Sequence, residues 1–405
     1  MLKRRYIPWL LGAALFMSLP TRTGRVLAQG AICGTFTDVQ ASSVFCPYIL
    51  EAFVSSITQG SSPTTFNPSD PVPREQAVTF LTRTMDQTLH RGSIRTVIGK
   101  AWSPTSINSG IAMDIGGSAN DVVTDGTYLW FARGDGKVQA VAAANRRLDS
   151  GNWSLVSGVP KKLGIFAGLV WIADEQGRLH NFNPTGLPGT ATLVTNISGI
   201  SAGNPTLAFD GSNVWFATSS GNKVAINPVS GPGGFTFSPS TSSTANIDGL
   251  VFDGTNMWVL TGDSHLLKMT IPTPGAAVPA VAETIALPGV VSDCRMLYDG
   301  NNIWIPIGTT GTLYVIRPTL NQVSLPSSIV KNEAIPDVGS PYVASFDGEN
   351  VMIGGLTNGF LALYKATNLV RIRTFNSGVG GVRGIASDGR TFNIGDIFGT
   401  KFYQY

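Results

Sequence analysis

The chain has 405 residues, of which 47 are Gly and only 13% are charged, about half the usual share. That composition excludes an intrinsically disordered chain, a coiled coil and a helix-rich bundle, and it leaves room for two or three domains built of short strands and tight turns. The formal charge of +3 comes from 28 Lys plus Arg against 25 Asp plus Glu, and the excess lies at the N-terminus, so no concentrated basic face for nucleic acid is present.

Lys3, Arg4 and Arg5 precede an apolar run from Ile7 to Leu19, and Val26-Leu27-Ala28 ends in the small residue a signal peptidase accepts. This order is that of a secretory signal over residues 1–28. The run of 13 residues is too short to cross ~30 Å of hydrocarbon as a helix, so cleavage is preferred to a retained anchor. Arg4-Arg5 keeps a twin-arginine route open beside the Sec route. Removing the five cations Lys3, Arg4, Arg5, Arg22 and Arg25 from 28 leaves 23 against 25 acids, a mature charge of about −2. No later stretch is apolar enough for a membrane helix, and the expected location is secreted, cell surface or cell envelope.

Cys33 and Cys46 flank a short loop near the mature N-terminus. In an oxidising compartment they can bridge, contributing about 3 kcal/mol by loop closure. Cys294 is left over in the apolar pattern Cys294-Arg295-Met296-Leu297-Tyr298 and reads as a buried, inert thiol. No zinc spacing, phosphate loop or serine-hydrolase elbow occurs, and no cofactor or metal is expected.

Helical periodicity is confined to the segment before residue 92. After Pro47, Ile49, Leu50, Phe53, Val54 and Ile57 make one apolar stripe. A loop from Gln59 to Asp70 follows, and Pro73 opens a second helix on which Ala77, Val78, Phe80, Leu81, Met85 and Leu89 share a face. The phrases Phe36-Thr37-Asp38-Val39, Tyr48-Ile49, Ile57-Thr58-Gln59-Gly60, Phe66-Asn67-Pro68 and Val72-Pro73-Arg74-Glu75-Gln76-Ala77 fall in the order of an S-layer homology (SLH) motif, which this segment resembles in a single copy. The resemblance implies attachment to cell-wall polysaccharide and places Arg74 at the family's glycan-contacting arginine. A guanidinium at a helix start can grip an acidic glycan group bidentately. The alternative is that Arg74 and Glu75 only solvate a helix end.

Residues 92–106 have no period and read as a linker. From residue 107 to 405 self-similarity takes over. An apolar stretch, an Asp-Gly turn and a second stretch centred on Trp recur as Val122-Val123-Thr124-Asp125-Gly126 with Trp130, Leu207-Ala208-Phe209-Asp210-Gly211 with Trp215, and Leu250-Val251-Phe252-Asp253-Gly254 with Trp258. They continue as Leu297-Tyr298-Asp299-Gly300 with Trp304, Ala344-Ser345-Phe346-Asp347-Gly348 with Met352, and Ile385-Ala386-Ser387-Asp388-Gly389 with Asn393. A degenerate copy, Ile165-Phe166-Ala167-Gly168 with Trp171, completes seven. The Trp-equivalents are 41, 44, 43, 46, 48 and 41 residues apart. Asp-Gly between apolar runs is a hairpin signal, and each copy has room for two further strands.

The expected fold is therefore mainly β: a seven-bladed β-propeller over residues 107–405, preceded by a small two-helix SLH-like domain over 30–91. The last copy stops at its third strand, Thr400 to Tyr405, while Ser109 to Ile115 is a strand without a copy of its own. The N-terminal strand is expected to complete the last blade and remove the open edge. The phrase Phe252-Asp253-Gly254-Thr255-Asn256-Met257-Trp258-Val259-Leu260 and its relatives resemble bacterial propellers of the YVTN, NHL and streptogramin-lyase-like group.

Turn chemistry accounts for the repeated Asp residues. Chemistry, if present, belongs on the face made by loops between second and third strands (Arg133, Asp135, Asp174, Glu175, Asn222, Asp263, His265, Asp396) and between blades (Lys161, Lys162, Asp248, Asp293, Asp337, Arg383). Of three histidines, His90 lies in the helical segment and His180 in a strand pattern. Only His265 sits in a candidate loop beside an acid, Asp263, as a general base would. Three functions follow. The first is an envelope protein whose SLH-like module contacts wall glycan while the propeller binds an unidentified protein or small molecule. The second is an extracytoplasmic metal-assisted lyase or hydrolase acting at the axial face, and the third a lattice-packing block.

Overall fold

The computed structural model describes residues 32–54, 57–88 and 111–405, with breaks at 144–147, 155–157, 186–188, 195–198, 230–233, 240–244, 272–277, 319–326 and 390. The expected signal peptide, the linker at 92–106 and His90 lie outside the described residues. Two compact units divide between Arg83 and Thr84.

The first unit pairs Ile32–Cys33 with Phe36–Gln40 and adds helices α1 (Cys46–Val54) and α2 (Arg74–Thr88). Pro47 suits the first turn of α1, where its missing N–H is not needed, and the Ser43 hydroxyl accepts the Phe45 N–H at 3.3 Å just before it. The core holds Phe36, Val39, Ile49 and the Cys33–Cys46 disulfide. Phe36 meets Phe53 edge-on at 5.2 Å and Phe66 at 5.5 Å. The Asp38 carboxylate accepts N–H bonds from Phe66 (2.9 Å) and Asn67 (2.6 Å), fixing the long loop. The apolar face expected on α2 is only half used: Ala77 and Phe80 are half-buried, whereas Val78 and Leu81 are 61% and 66% exposed. The small core is already filled by α1, the hairpin and Phe66, which leaves little for α2 to cover.

Among the described residues of the second unit are seven four-stranded antiparallel sheets. Blades 1 to 6 take consecutive strands over 119–154, 160–193, 205–237, 247–286, 297–334 and 341–376. Blade 7 takes Val382–Ser387, Phe392–Asp396 and Lys401–Gln404, and its outer strand is Ile111–Asp114, paired so that Ile111 faces Gln404 and Asp114 faces Lys401. The first strand of every blade touches the first strand of both neighbours all the way round, so these strands are innermost. The ring is closed by the chain's own early strand, as the repeat count requires.

Each second-strand aromatic seals a blade to the next. Trp130 packs with Leu163 and Phe182, Trp215 with Ile247 and Leu250, Trp258 with Ile303 and Ile305, and Trp304 with Val351 and Ile353. All four Trp rings are fully buried. Both faces of every sheet thus lose water contact only when neighbours are present, which is why the unit repeats.

The Asp-Gly turns do more than reverse the chain. Asp253 Oδ1 accepts the N–H groups of Thr255 (2.8 Å) and Asn256 (2.7 Å), while Oδ2 accepts the buried Trp258 indole N–H at 2.6 Å. The same clamp joins Asp125 to Trp130 (2.9 Å), Asp210 to Trp215 (2.7 Å) and Asp299 to Trp304 (2.7 Å). The following Gly takes a positive φ, +93° at Gly254, although a Cβ there would meet nothing, so conformation rather than space requires it. Blade 2 lacks the Asp. There Ala167 and Gly168 both take positive φ (51° and 75°) in a two-residue turn, and the Trp171 indole donates to the Phe166 carbonyl at 3.2 Å. Asp253→Ala orphans a buried indole N–H and two turn amides and is expected to cost about 1–3 kcal/mol in urea unfolding. Asp347→Ala, in the blade where Met352 replaces Trp, should cost about 1 kcal/mol less.

Candidate functional site

Antiparallel pairing places the start of each inner strand and each loop between second and third strands at the same end of the ring. At that end the inner strands are irregular. Register breaks leave Asn120, Lys161, Asp248, Tyr342 and Arg383 as extra residues in blades 1, 2, 4, 6 and 7. A bulge of this kind re-aims a side chain and bends the strand, here at five equivalent positions round one axis.

Blade 5 departs further. Its inner strand is only Leu297–Tyr298, and the residues before it hydrogen-bond to the neighbouring blades instead. The Cys294 N–H donates to the Asp248 carbonyl of blade 4 (2.9 Å), and the Arg295 N–H to the Tyr342 carbonyl of blade 6 (2.7 Å). Seated between those blades, Arg295 sends its side chain across the ring. Its Nη1 pairs with the Asp121 carboxylate of blade 1, and Nη2 donates to the carbonyls of Asn120 (3.1 Å) and Lys161 (2.6 Å), the latter in blade 2. Blades 1 and 2 stand opposite blade 5, so the guanidinium is a strut across the axis.

Asp121 has two further partners, Lys162 Nζ at 3.1 Å and the Leu163 N–H at 2.8 Å. The Asp121 and Arg295 side chains are 2% and 6% exposed, so their mutual pairing is what makes burial of either charge tolerable, while Arg295 Nε is left without an acceptor. Burial pushes the Lys162 ammonium below its ordinary value; Asp121 opposes this and the Arg295 charge adds to it.

The opposite side of the mouth is acidic. Asp248 is buried, and burial together with the nearby Asp293 carboxylate pushes its pKa up to about 7. Asp293 accepts a hydrogen bond from the Asn204 amide of the segment entering blade 3 (3.0 Å). The Cys294 thiol is held well above its usual range by burial and then by the charges of Asp248 and Asp293, which makes it inert. Tyr342 lies under two cations, its ring 5.5 Å from the Arg295 guanidinium carbon and 5.7 Å from that of Arg383.

Of the loop residues singled out from the sequence, Lys162, Asp248, Asp293 and Arg383 belong to this cluster. Most of the others resolve into pairs within one blade. Arg133 pairs with Asp135 at 2.5 Å, Asp174 with Arg178 (2.7 Å) and the buried His180 (3.1 Å), and Asp337, in the link into blade 6, with Arg371 of that blade's outer strand. Lys161 reaches Glu175 at 3.6 Å, and Asp396 accepts the Phe398 N–H at 3.0 Å. His265 Nδ1 is 3.2 Å from Asp263 Oδ1, both side chains being more than a third exposed (39% and 34%). Burial raises the Asp263 carboxyl, but hydrogen bonds from Thr261 and His265 and the His265 charge hold it below the usual range. Arg74 is the first residue of α2 and is exposed. Among the described residues no three His, Cys, Asp or Glu side chains gather to hold a metal, and no helix is long and apolar enough to cross a membrane.

Asp121, Asn204, Arg295 and Tyr342 escaped the sequence reading. The repeat frame carried a signal for three of them: Asp121 and Arg295 each stand four residues before the turn Asp, and Tyr342 stands five before it, as do Asp248 and Arg383.

The fold is similar to that of the β-propeller domain of Myceliophteria thermophila Cps50 (Swd1), with a TM-score of 0.60 and 11% identity over 73% of this chain and 99% of that one. It is similar also to the WD40 β-propeller domain of Doa1, with a TM-score of 0.58 and 10% identity over 74% of this chain and 97% of that one. At such identity the likeness is one of fold alone. No family profile and no curated protein matches the sequence.

Proposed function

We propose that the protein is exported and held at the cell envelope, where the SLH-like unit contacts wall polysaccharide and the propeller is a binding platform presenting its axial mouth. The observation that carries the envelope part is the Cys33–Cys46 bridge closing the small N-terminal unit, since such bridges persist in oxidising compartments. The leader pattern over residues 1–28 and the SLH-like wording agree with it. Arg74, exposed at the start of α2, is free to meet an acidic sugar with a bidentate guanidinium. For the platform, the support is the gathering of side chains from five bulged blade entries at one mouth, which a purely structural ring does not need.

The test is sedimentation of the full mature chain with purified cell walls. Arg74→Ala should lower the bound fraction at least tenfold, and a chain lacking residues 30–91 should stay in the supernatant. Equal sedimentation of all three chains would discard the anchoring role. Recovery of the protein from the cytoplasmic fraction of its native cells would discard export.

A further inference from the structure

The guanidinium groups on this end of the ring are otherwise spoken for. Arg133 pairs with Asp135, Arg178 with Asp174 and Arg295 with Asp121. Arg383 is the exception: among the described residues it forms no ion pair, and its Nε, like that of Arg295, is buried without an acceptor. Its place is fixed by the blade 7 bulge and by the glycine that follows. A Cβ on Gly384 would fall 2.7 Å from the Asp121 Cα, so the backbone is pressed against blade 1 and Arg383 cannot retreat by a shift of its strand. Arg295 closes the axis beside it, and the two guanidinium groups share one face-contact partner, Tyr342. A half-buried guanidinium beside another, with no carboxylate of its own, is a site that lacks an anion.

We propose that the axial mouth binds a small carboxylate, its anionic end on Arg383 beside the Tyr342 ring and its polar end toward Asn204 and Asp293. This deepens the platform reading, on which it rests. A planar carboxylate matches the two-pronged guanidinium better than a spherical ion does, and Tyr342 supplies a flat apolar wall next to it. The Asn204 amide and Asp293 carboxylate across the mouth suit hydroxyl or amino groups on the far end. Because Arg295 bars the axis, the ligand enters and leaves by this face.

The experiment titrates the full mature chain with lactate by calorimetry at constant ionic strength, with lactamide as the uncharged probe and inorganic sulfate as the tetrahedral one. Lactate should bind the native chain, and Arg383→Gln should weaken it at least tenfold, with Arg383→Lys intermediate. Arg371→Gln, which removes a cation paired with Asp337, should leave the affinity unchanged. Should Arg383→Gln fail to fold, the graded loss in Arg383→Lys carries the same test. Equal lactate affinity in the native and Arg383 chains overturns the proposal. Lactamide binding as tightly as lactate, and lost in Arg383→Gln, overturns the anion but keeps the mouth as a binding surface. Sulfate binding alone overturns the carboxylate. No binding of any probe overturns the small-ligand site, while retention of an envelope protein by the same face would keep the platform.

Discussion

Arg295→Met should destabilise the propeller by about 3–5 kcal/mol, because it removes the cation that crosses the ring and leaves Asp121 buried with Lys162 and one N–H as its remaining partners. The carbonyls of Asn120 and Lys161 lose their donor in the same stroke. Urea unfolding followed by the fluorescence of the buried Trp rings measures the loss. Adding Asp121→Asn to Arg295→Met should restore part of it, since the carboxylate is then no longer a buried charge short of a cation. A loss below about 1 kcal/mol for the single variant would mean that the strut is not holding blades 1 and 5 together.

Asp248→Asn should stabilise the protein, and the gain should depend on pH. The folded carboxyl titrates near 7, against 3.8 for the ordinary group. The folded state therefore holds the proton over a window in which the unfolded chain has released it. The favourable contribution of the neutral acid is full below pH 4, declines as pH rises through 7 and is absent above it, a span of about 4 kcal/mol. Asparagine has no such dependence. The variant and the native chain should melt together near pH 4 and diverge above it, with the variant as much as about 4 kcal/mol more stable at pH 8. Melting curves that run parallel from pH 4 to 8 would show that neither burial nor the Asp293 charge raises the Asp248 carboxyl. The arrangement has the form of a cost kept at a site: a buried acid beside a second acid contributes nothing to folding at neutral pH, and such placements gather where ligands bind.

The architecture was legible because each repeat solves one local problem. Asp, Gly and Trp at fixed spacing describe a turn, its left-handed residue and an indole that the turn carboxylate anchors. Even the ring closure could be counted, one copy short of a strand and one early strand in surplus. The mouth was only partly legible. Lys162, Asp248, Asp293 and Arg383 were found as polar residues between blades, but their partners lie far along the chain: Arg295 and Asp121 are 174 residues apart. No local pattern encodes a contact across a ring. The loop residues that resolved into pairs, such as Asp174 with Arg178 and His180, satisfy one another inside a blade and so are removed from the mouth. On α2 the apolar period was real, but the periodicity of a helix says which residues share a face and not whether the unit has enough core to cover Val78 and Leu81.

The latch between Ile111–Asp114 and Lys401–Gln404 sets the order in which the molecule can be made. A chain emerging from the ribosome delivers one half of the latch before the first blade and the other after nearly everything else. Until then the nascent blades form an open arc whose two end faces, and the unpaired margin of Ile111–Asp114, are available to other chains. The exposure of that growing oily arc ends when the final strand arrives and the ring closes.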